Sequence, residues 1–181
     1  MPAFPKPYAD MVARLRVPGG FLMVIAFTWL SHPTRASLAA GFPIALAGLL
    51  LRAWAAGCLA KNQDLATSGP YSYVRNPLYI GTLLAAAGLV AASRSVWLAV
   101  VVAAVFLLVY LPVIQLEEQH LRRLFPGYST YAEQVPALLP RLSPFSGRNL
   151  NPFRFSLYLK NEEYQAGAVF AAGMLFLLWK L

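Results

Sequence analysis

The sequence predicts an all-α fold: a polytopic helical membrane protein with about five transmembrane helices. Composition is the first observation behind this reading. Of 181 residues, 59% are hydrophobic and 12% are charged, against roughly 25% charged in ordinary soluble domains. The second is arrangement, because the apolar residues are gathered into long runs separated by polar, proline- and glycine-rich breaks. The third is the placing of Lys and Arg among those breaks. The length suits one domain, residues 1–181, and no internal repeat or low-complexity tract divides it.

The opening "MPAFPKPYADMVARLRVPGG" holds prolines and charges but no early apolar core, so it does not read as a cleaved signal peptide. Tyr8, Met11, Val12 and Leu15 fall at i, i+3, i+4 and i+7. That spacing predicts a short amphipathic helix lying on the membrane surface. Spans are then expected over residues 17–31, 37–60, 78–92, 96–116 and 164–181. The third and fourth form a hairpin turned by Ser93, Arg94 and Ser95. A full span takes about 20 apolar residues, so the first and third are short.

These spans sort the cations. Lys6, Arg14, Arg16, Lys61, Arg75, Arg122, Arg123, Arg141, Arg148, Arg154 and Lys160 fall on one side. Arg35, Arg94 and Lys180 fall on the other, and Arg52 stays inside the second span. The excess of positive charge in cytosolic loops puts the N-terminus and the richer side in the cytosol. The 61–78 loop and the 117–163 tail then share one side and can meet.

The net charge of +8 accompanies apolar runs rather than a basic stripe, so a membrane is expected as partner and nucleic acid is not. The single cysteine, Cys58, excludes an intrachain disulfide and a cysteine metal cluster. It reads as a buried structural thiol, and no metal is expected.

Two segments carry the chemistry. In "KNQDLATSGPYSYVRNPLYIG", Gly69-Pro70 and Asn76-Pro77 set turns. Pro77 suits the first position of a helix with Asn76 as its cap. The helix N-terminus beside Arg75 suits a carboxylate or phosphate. The same residues also make a capped helix start with interfacial tyrosines. In "LEEQHLRRLFPGYSTYAEQVPALLPRL", the helix is expected to run to about Phe125, where "FPG" stops it. Glu118 and Arg122 stand at i, i+4 and read as a helical ion pair. Glu117 has no such local partner, and His120 reads as a solvated helix histidine.

Together "GPYSYVRNPLYIG" and "EEQHLRRLFPGYSTYAEQVPALLP", bracketing a membrane hairpin, resemble the isoprenylcysteine carboxyl methyltransferase and phospholipid methyltransferase superfamily. The resemblance covers about residues 61–141. It implies an integral membrane enzyme, multi-pass, that transfers a methyl group from S-adenosylmethionine in a cytosolic pocket. The acceptor would be a lipophilic substrate entering from the bilayer: an isoprenylcysteine-like carboxylate, a phospholipid amine or a small lipophilic acceptor. By the resemblance Gln63, Asp64, Leu65 and Ala66 would line the cofactor through their backbone, with Tyr71 beside them. Asn76, Pro77, Leu78 and Tyr79 would close over it, and Glu117 would bind it from the second segment. Tyr128 and Tyr131, with Pro136 and Pro140, would form a lid.

The residue chemistry is compatible with such a ligand. A carboxylate suits Arg75, an ammonium or ribose suits Glu117, and ring faces suit a sulfonium and an adenine. Arg52 is expected to face the bundle interior and meet Glu117 or the substrate's polar head, which makes Arg52 and Glu117 the candidate catalytic pair. Two positions depart from the family. Its histidine is Asn76 here, which cannot titrate near neutrality. The arginine that binds the substrate carboxylate in eukaryotic isoprenylcysteine enzymes is Val113. Two other function classes fit a chain of this kind, an NADPH-dependent enzyme similar to sterol reductases and a non-catalytic membrane binding protein.

Overall fold

The computed structural model describes residues 4–145 and 152–181, with the backbone alone at 13 and 15–18. The side chains of Leu15 and Arg16, and all of Arg148, lie outside the described residues. All regular structure among the described residues is helical.

The first helix corrects the sequence reading. α1 (Lys6–Leu30) is one continuous rod where a surface helix and a separate span are expected. Its N-terminal half docks on protein. Phe4 and Gln115 exchange two hydrogen bonds, Phe4 N donating to Oε1 at 2.8 Å and Nε2 donating to Phe4 O at 3.1 Å. Ala9 and Val12 are buried while Met11 is exposed, so the helix turns a different stripe inward than the spacing suggests. The rod continues through Gly19 and Gly20, although each costs about 1 kcal/mol in a helix interior.

α2 (Arg35–Gly57) begins two residues before the expected start, because Thr34 and Ser37 form a reciprocal cap. Ser37 Oγ also donates to Ala92 O at 2.8 Å, tying this end to the last turn of α3 (Pro77–Ser93). The two helices pack antiparallel through a stripe of small residues. Gly41, Ala45 and Gly48 face Gly81, Ala85, Gly88 and Ala92, and a Cβ at Gly41, Gly48 or Gly88 would collide with the facing backbone. Small residues let helix backbones approach where lipid removes the hydrophobic drive to associate. Arg94, in the left-handed region at φ 56°, ends α3, and Ser95 Oγ accepts from Leu98 N to start α4 (Val96–Val105).

α4 continues through one π-turn, Phe106–Tyr110, into α5 (Leu111–Leu124). Pro112 lacks an N–H, which orphans the carbonyl of Leu108 four residues earlier. Tyr8 supplies the missing donor, its hydroxyl lying 2.7 Å from Leu108 O. After a break come α6 (Tyr128–Gln134), α7 (Phe155–Lys160) and α8 (Tyr164–Trp179). Asn161 Nδ2 donates to Ala56 O and Leu59 O, both at 2.9 Å, which seats the start of α8 against the end of α2.

Two helices, Arg35–Gly57 and Val96–Leu124, are long and apolar enough to cross a membrane, and only 22% and 17% of their apolar windows are buried in the protein. The helices of a soluble core would be mostly buried. Gly19–Leu30, Pro77–Ser93 and Tyr164–Trp179 are apolar but shorter than a full span. Trp29 and Trp179 are each 82% exposed. So much apolar surface turned outward is the signature of a chain that meets lipid.

Candidate functional site

The two polar segments meet. The 69–76 turn and the 136–145 stretch are joined by three backbone hydrogen bonds: Arg75 N to Pro136 O at 2.9 Å, Arg141 N to Tyr73 O at 3.0 Å, and Phe145 N to Ser72 O at 2.9 Å. Gly69 starts the turn at φ 57°, with Cys58 Sγ packed where a Cβ would sit. Cys58 is buried, and burial raises its thiol pKa, which fits the structural role expected of it. Tyr131 closes the seam from α6, its hydroxyl donating to Tyr71 O at 2.7 Å. Tyr128, Tyr131 and Val135 form one buried cluster, against which Leu65 packs. Ala66 and Tyr71 form another with Ala55 and Cys58.

The charged groups do not pair as the sequence suggests. Glu118 turns away from Arg122 and meets Arg75, with Nη2 3.1 Å from Oε1. Arg75 Nη1 donates to Ala132 O at 2.9 Å. Arg122 instead reaches Ser129 Oγ and stands 5.4 Å above the Tyr128 ring. A buried guanidinium competes better for the carboxylate than an exposed one at i+4, because less water screens it. Asn76 is the residue before α3, but its side chain makes no capping bond. Its Nδ2 donates to Glu118 Oε1 at 3.3 Å and to Ala137 O at 3.1 Å. Glu117, exposed at the rim, accepts at Oε2 from the Tyr79 hydroxyl at 2.9 Å.

Arg52 faces the bundle interior, but the partner it finds there is Glu163 rather than Glu117. Its Nε lies 2.5 Å from Glu163 Oε1 and its Nη2 lies 2.9 Å from Oε2. Its Nη1 donates to Leu78 O at 3.3 Å and to the Thr82 hydroxyl. Glu163 stands at the N-cap of α8, and no local spacing in the sequence connects it to Arg52. The length of the intervening chain hides the pair.

Three buried polar atoms have no hydrogen-bond partner among the described residues: Thr67 Oγ1, Tyr71 OH and Arg75 Nε. All sit on the 67–75 turn. Burial raises the Tyr71 phenol well above its ordinary pKa, and the negative charge of Glu117 adds to the effect. Tyr128 and Tyr131 are raised as well, again chiefly by burial. Orphaned buried groups are costly and call for an explanation. Two hydroxyls and a guanidinium can donate and the Glu117 carboxylate can accept, the mixed set that a zwitterionic, hydroxyl-rich ligand needs, so these residues fit S-adenosylmethionine. Gln63 and Asp64 lie on an exposed turn, with their amides donating to Ala60 O. Pro77 is buried at the start of α3, and Leu78 is half-buried behind it. Pro136 and Pro140 are exposed on the outer edge of the seam.

Two cavities flank α3. One, of about 220 Å³, lies between α1, α3 and the π-turn. The other, of about 490 Å³, lies between α2, α3 and α8 beside Arg52 and Glu163. Neither is lined by Tyr71, Glu117 or residues 63–66, where a pocket is expected. Tyr71, Tyr128 and Tyr131 are all buried along that seam.

Residues 52–127 match the phospholipid methyltransferase family. This is the family resemblance read from the two motifs. The match takes in Arg52, the 69–76 turn, the α3–α5 hairpin and both glutamates, and it stops before α6. Two curated proteins are similar over a longer stretch. The cobalt-zinc-cadmium resistance protein CzcN of Cupriavidus metallidurans is 37% identical over 136 residues, which is 74% of this chain and 62% of CzcN. The nickel-cobalt-cadmium resistance protein NccN of Alcaligenes xylosoxydans xylosoxydans is 38% identical over 120 residues, 65% of this chain and 55% of NccN. The chain thus spans less than two thirds of either relative. No solved structure matches it. Among the described residues no three His, Cys, Asp or Glu side chains gather as metal ligands do.

Proposed function

We propose that this membrane-embedded member of a methyltransferase family transfers a methyl group from S-adenosylmethionine to a lipophilic acceptor that arrives from the bilayer. The observation that carries the reading is the set of orphaned polar atoms, Thr67 Oγ1, Tyr71 OH and Arg75 Nε, inside the family-matched segment. When bound, the cofactor supplies a sulfonium methyl group, whose C–S bond breaks as an acceptor lone pair forms the new bond to carbon. The protein's part is to hold and orient. Glu117 takes an ammonium or ribose hydroxyl, and Tyr71 and Thr67 donate to the ligand from the turn. Arg75 offers Nε while Glu118 and Ala132 keep its other nitrogens in place. Admission requires α6 and the 136–145 stretch to part from the 69–76 turn, which breaks six hydrogen bonds, those of Arg75 Nη1 to Ala132 O and Asn76 Nδ2 to Ala137 O among them. The site lies on the cytosolic side, as the cation distribution indicates. In-line displacement needs positioning more than a strong base, so Asn76 in place of a histidine is no obstacle.

Labelled S-adenosylmethionine tests this with purified protein in detergent. Saturable binding, followed by methyl transfer to members of a panel of lipids, amines and thiols, is the expected result. Absence of cofactor binding overturns it. A second reading, a membrane component of a cation-resistance system, draws on the names of CzcN and NccN. Loss of cobalt, zinc or cadmium tolerance on deleting the gene, with tolerance restored in full by Glu117→Gln, would favour that reading over the enzyme.

A further inference from the structure

Two groups of helix-interior glycines contrast. Those at 41, 48, 81 and 88 sit against the backbone of the facing helix and cannot carry a side chain. Gly19 and Gly20, in the middle of α1, have nothing within 4 Å of where a Cβ would point. Adjacent glycines weaken a helix, and here no close packing accounts for them. Both line the 220 Å³ cavity, together with Met23, Thr82, Phe106 and Tyr110. Its walls are almost wholly apolar. At one end Tyr110 stacks edge-on against Tyr79, with ring centroids 5.9 Å apart, and Tyr79 holds Glu117. The cavity thus runs from the lipid-facing helices to the rim of the candidate site.

We infer that Gly19 and Gly20 keep open a slot for one hydrocarbon chain of the methyl acceptor, and that their missing side chains set how bulky that chain can be. Apolar walls select an apolar occupant. The volume is below the 300–1,000 Å³ of ordinary small-molecule pockets, so it suits a chain segment and not a whole lipid. The identity of the occupant rests on the methyltransferase reading, but the slot can be tested without it.

The test uses full-length protein in detergent and palmitic acid carrying a photoactivatable diazirine at mid-chain, with adducts mapped by mass spectrometry. Saturable adducts on Met23, Leu83 or Val109 are expected. Gly20→Phe should lower them at least tenfold and Gly20→Ala about twofold, while Leu83→Ala, which widens the slot, should raise them. Adducts equal in wild type and Gly20→Phe, or confined to the outward Leu175 and Leu178 of α8, overturn the slot. Should Gly20→Phe not fold, the response to Leu83→Ala decides, and no increase counts against the slot. S-adenosylmethionine binding is measured in parallel. Protein with Gly20-dependent adducts but no cofactor binding overturns the enzymatic reading and leaves the slot. Cofactor binding with adducts indifferent to Gly20 does the reverse.

Discussion

Two arginine–glutamate pairs cross the molecule among its described residues, and they are built differently. Arg52 makes four hydrogen bonds, two of them to Glu163, which binds it with both oxygens. Arg75 meets Glu118 through one nitrogen, gives another to a backbone carbonyl and leaves Nε without a partner. Side-chain exposure is 23% and 7% in the first pair and 11% and 13% in the second. The first pair engages every nitrogen of Arg52 and ties α2, α3 and α8 together. The second is under-satisfied and lies among other orphaned polar atoms. A pair with every nitrogen engaged gains little from a ligand, whereas one with a buried nitrogen left bare gains from binding one. The difference marks Arg52–Glu163 as a tether and the Arg75 region as the candidate binding site.

The comparison breaks hardest at the tether. Glu163→Ala strands a guanidinium in the bundle, a loss of about 3–5 kcal/mol for buried pairs, here at the lower end because Arg52 is partly exposed. Denaturant unfolding in detergent measures it. Arg52→Leu should also destabilise, since it strands Glu163, and the double change Arg52→Leu with Glu163→Leu should recover most of the loss. If Arg52→Leu instead leaves stability intact and abolishes methyl transfer, Arg52 belongs to the site and the contrast fails. The small-residue stripe under the tether comes next. Gly48→Leu drives a side chain into the backbone of α3, and overpacking of this kind costs about 1–3 kcal/mol, the upper figure applying where backbone must move. Its thermal midpoint should fall, while Gly167→Leu, placed where nothing crowds a Cβ, should hardly move it.

The binding site is sharpened by separating its two glutamates. Glu118→Gln removes the partner of Arg75 and should lower stability by about 1.5–3 kcal/mol. Glu117→Gln should leave the fold intact and weaken S-adenosylmethionine binding by one to two tenfold steps, about 1.4–2.8 kcal/mol. Unchanged cofactor affinity in Glu117→Gln would remove that residue from the site. The smallest effect is the seam hydroxyl. Tyr131→Phe deletes the bond to Tyr71 O, worth about 1 kcal/mol. The seam also sets a pH dependence. Tyr71, Tyr128 and Tyr131 hold their protons above the ordinary phenol pKa of about 10, while the unfolded chain releases them there. Their share of stability is therefore intact below pH 10 and falls as pH rises beyond it. Denaturant midpoints measured across that range should decline, and less steeply in Tyr131→Phe.

An orientation test needs exposed positions. Ser68 is buried, and Ser146 lies outside the described residues. Cysteines at Lys61 and Glu133, both exposed, serve better in a Cys58→Ala background. Both should escape an impermeant thiol reagent in intact cells, and labelling of either contradicts a cytosolic site.

What the sequence determined by itself is local. Helix breaks at Gly69-Pro70, Asn76-Pro77 and Phe125-Pro126, the long rod from Val96 to Leu124 and the two motif segments are all legible, because each depends on residues within a turn or two of one another. Burial of Cys58 and exposure of His120 follow from hydropathy in the same way. Tertiary structure alone decided the partners. Glu118 chose Arg75 over Arg122, Arg52 found Glu163 over a hundred residues away, and Tyr8 capped the carbonyl that Pro112 left bare. The reason is physical. A helix break is set by backbone sterics at a single residue. The strength of a charge pair depends on how much water surrounds it, and that is fixed only when distant segments close over it.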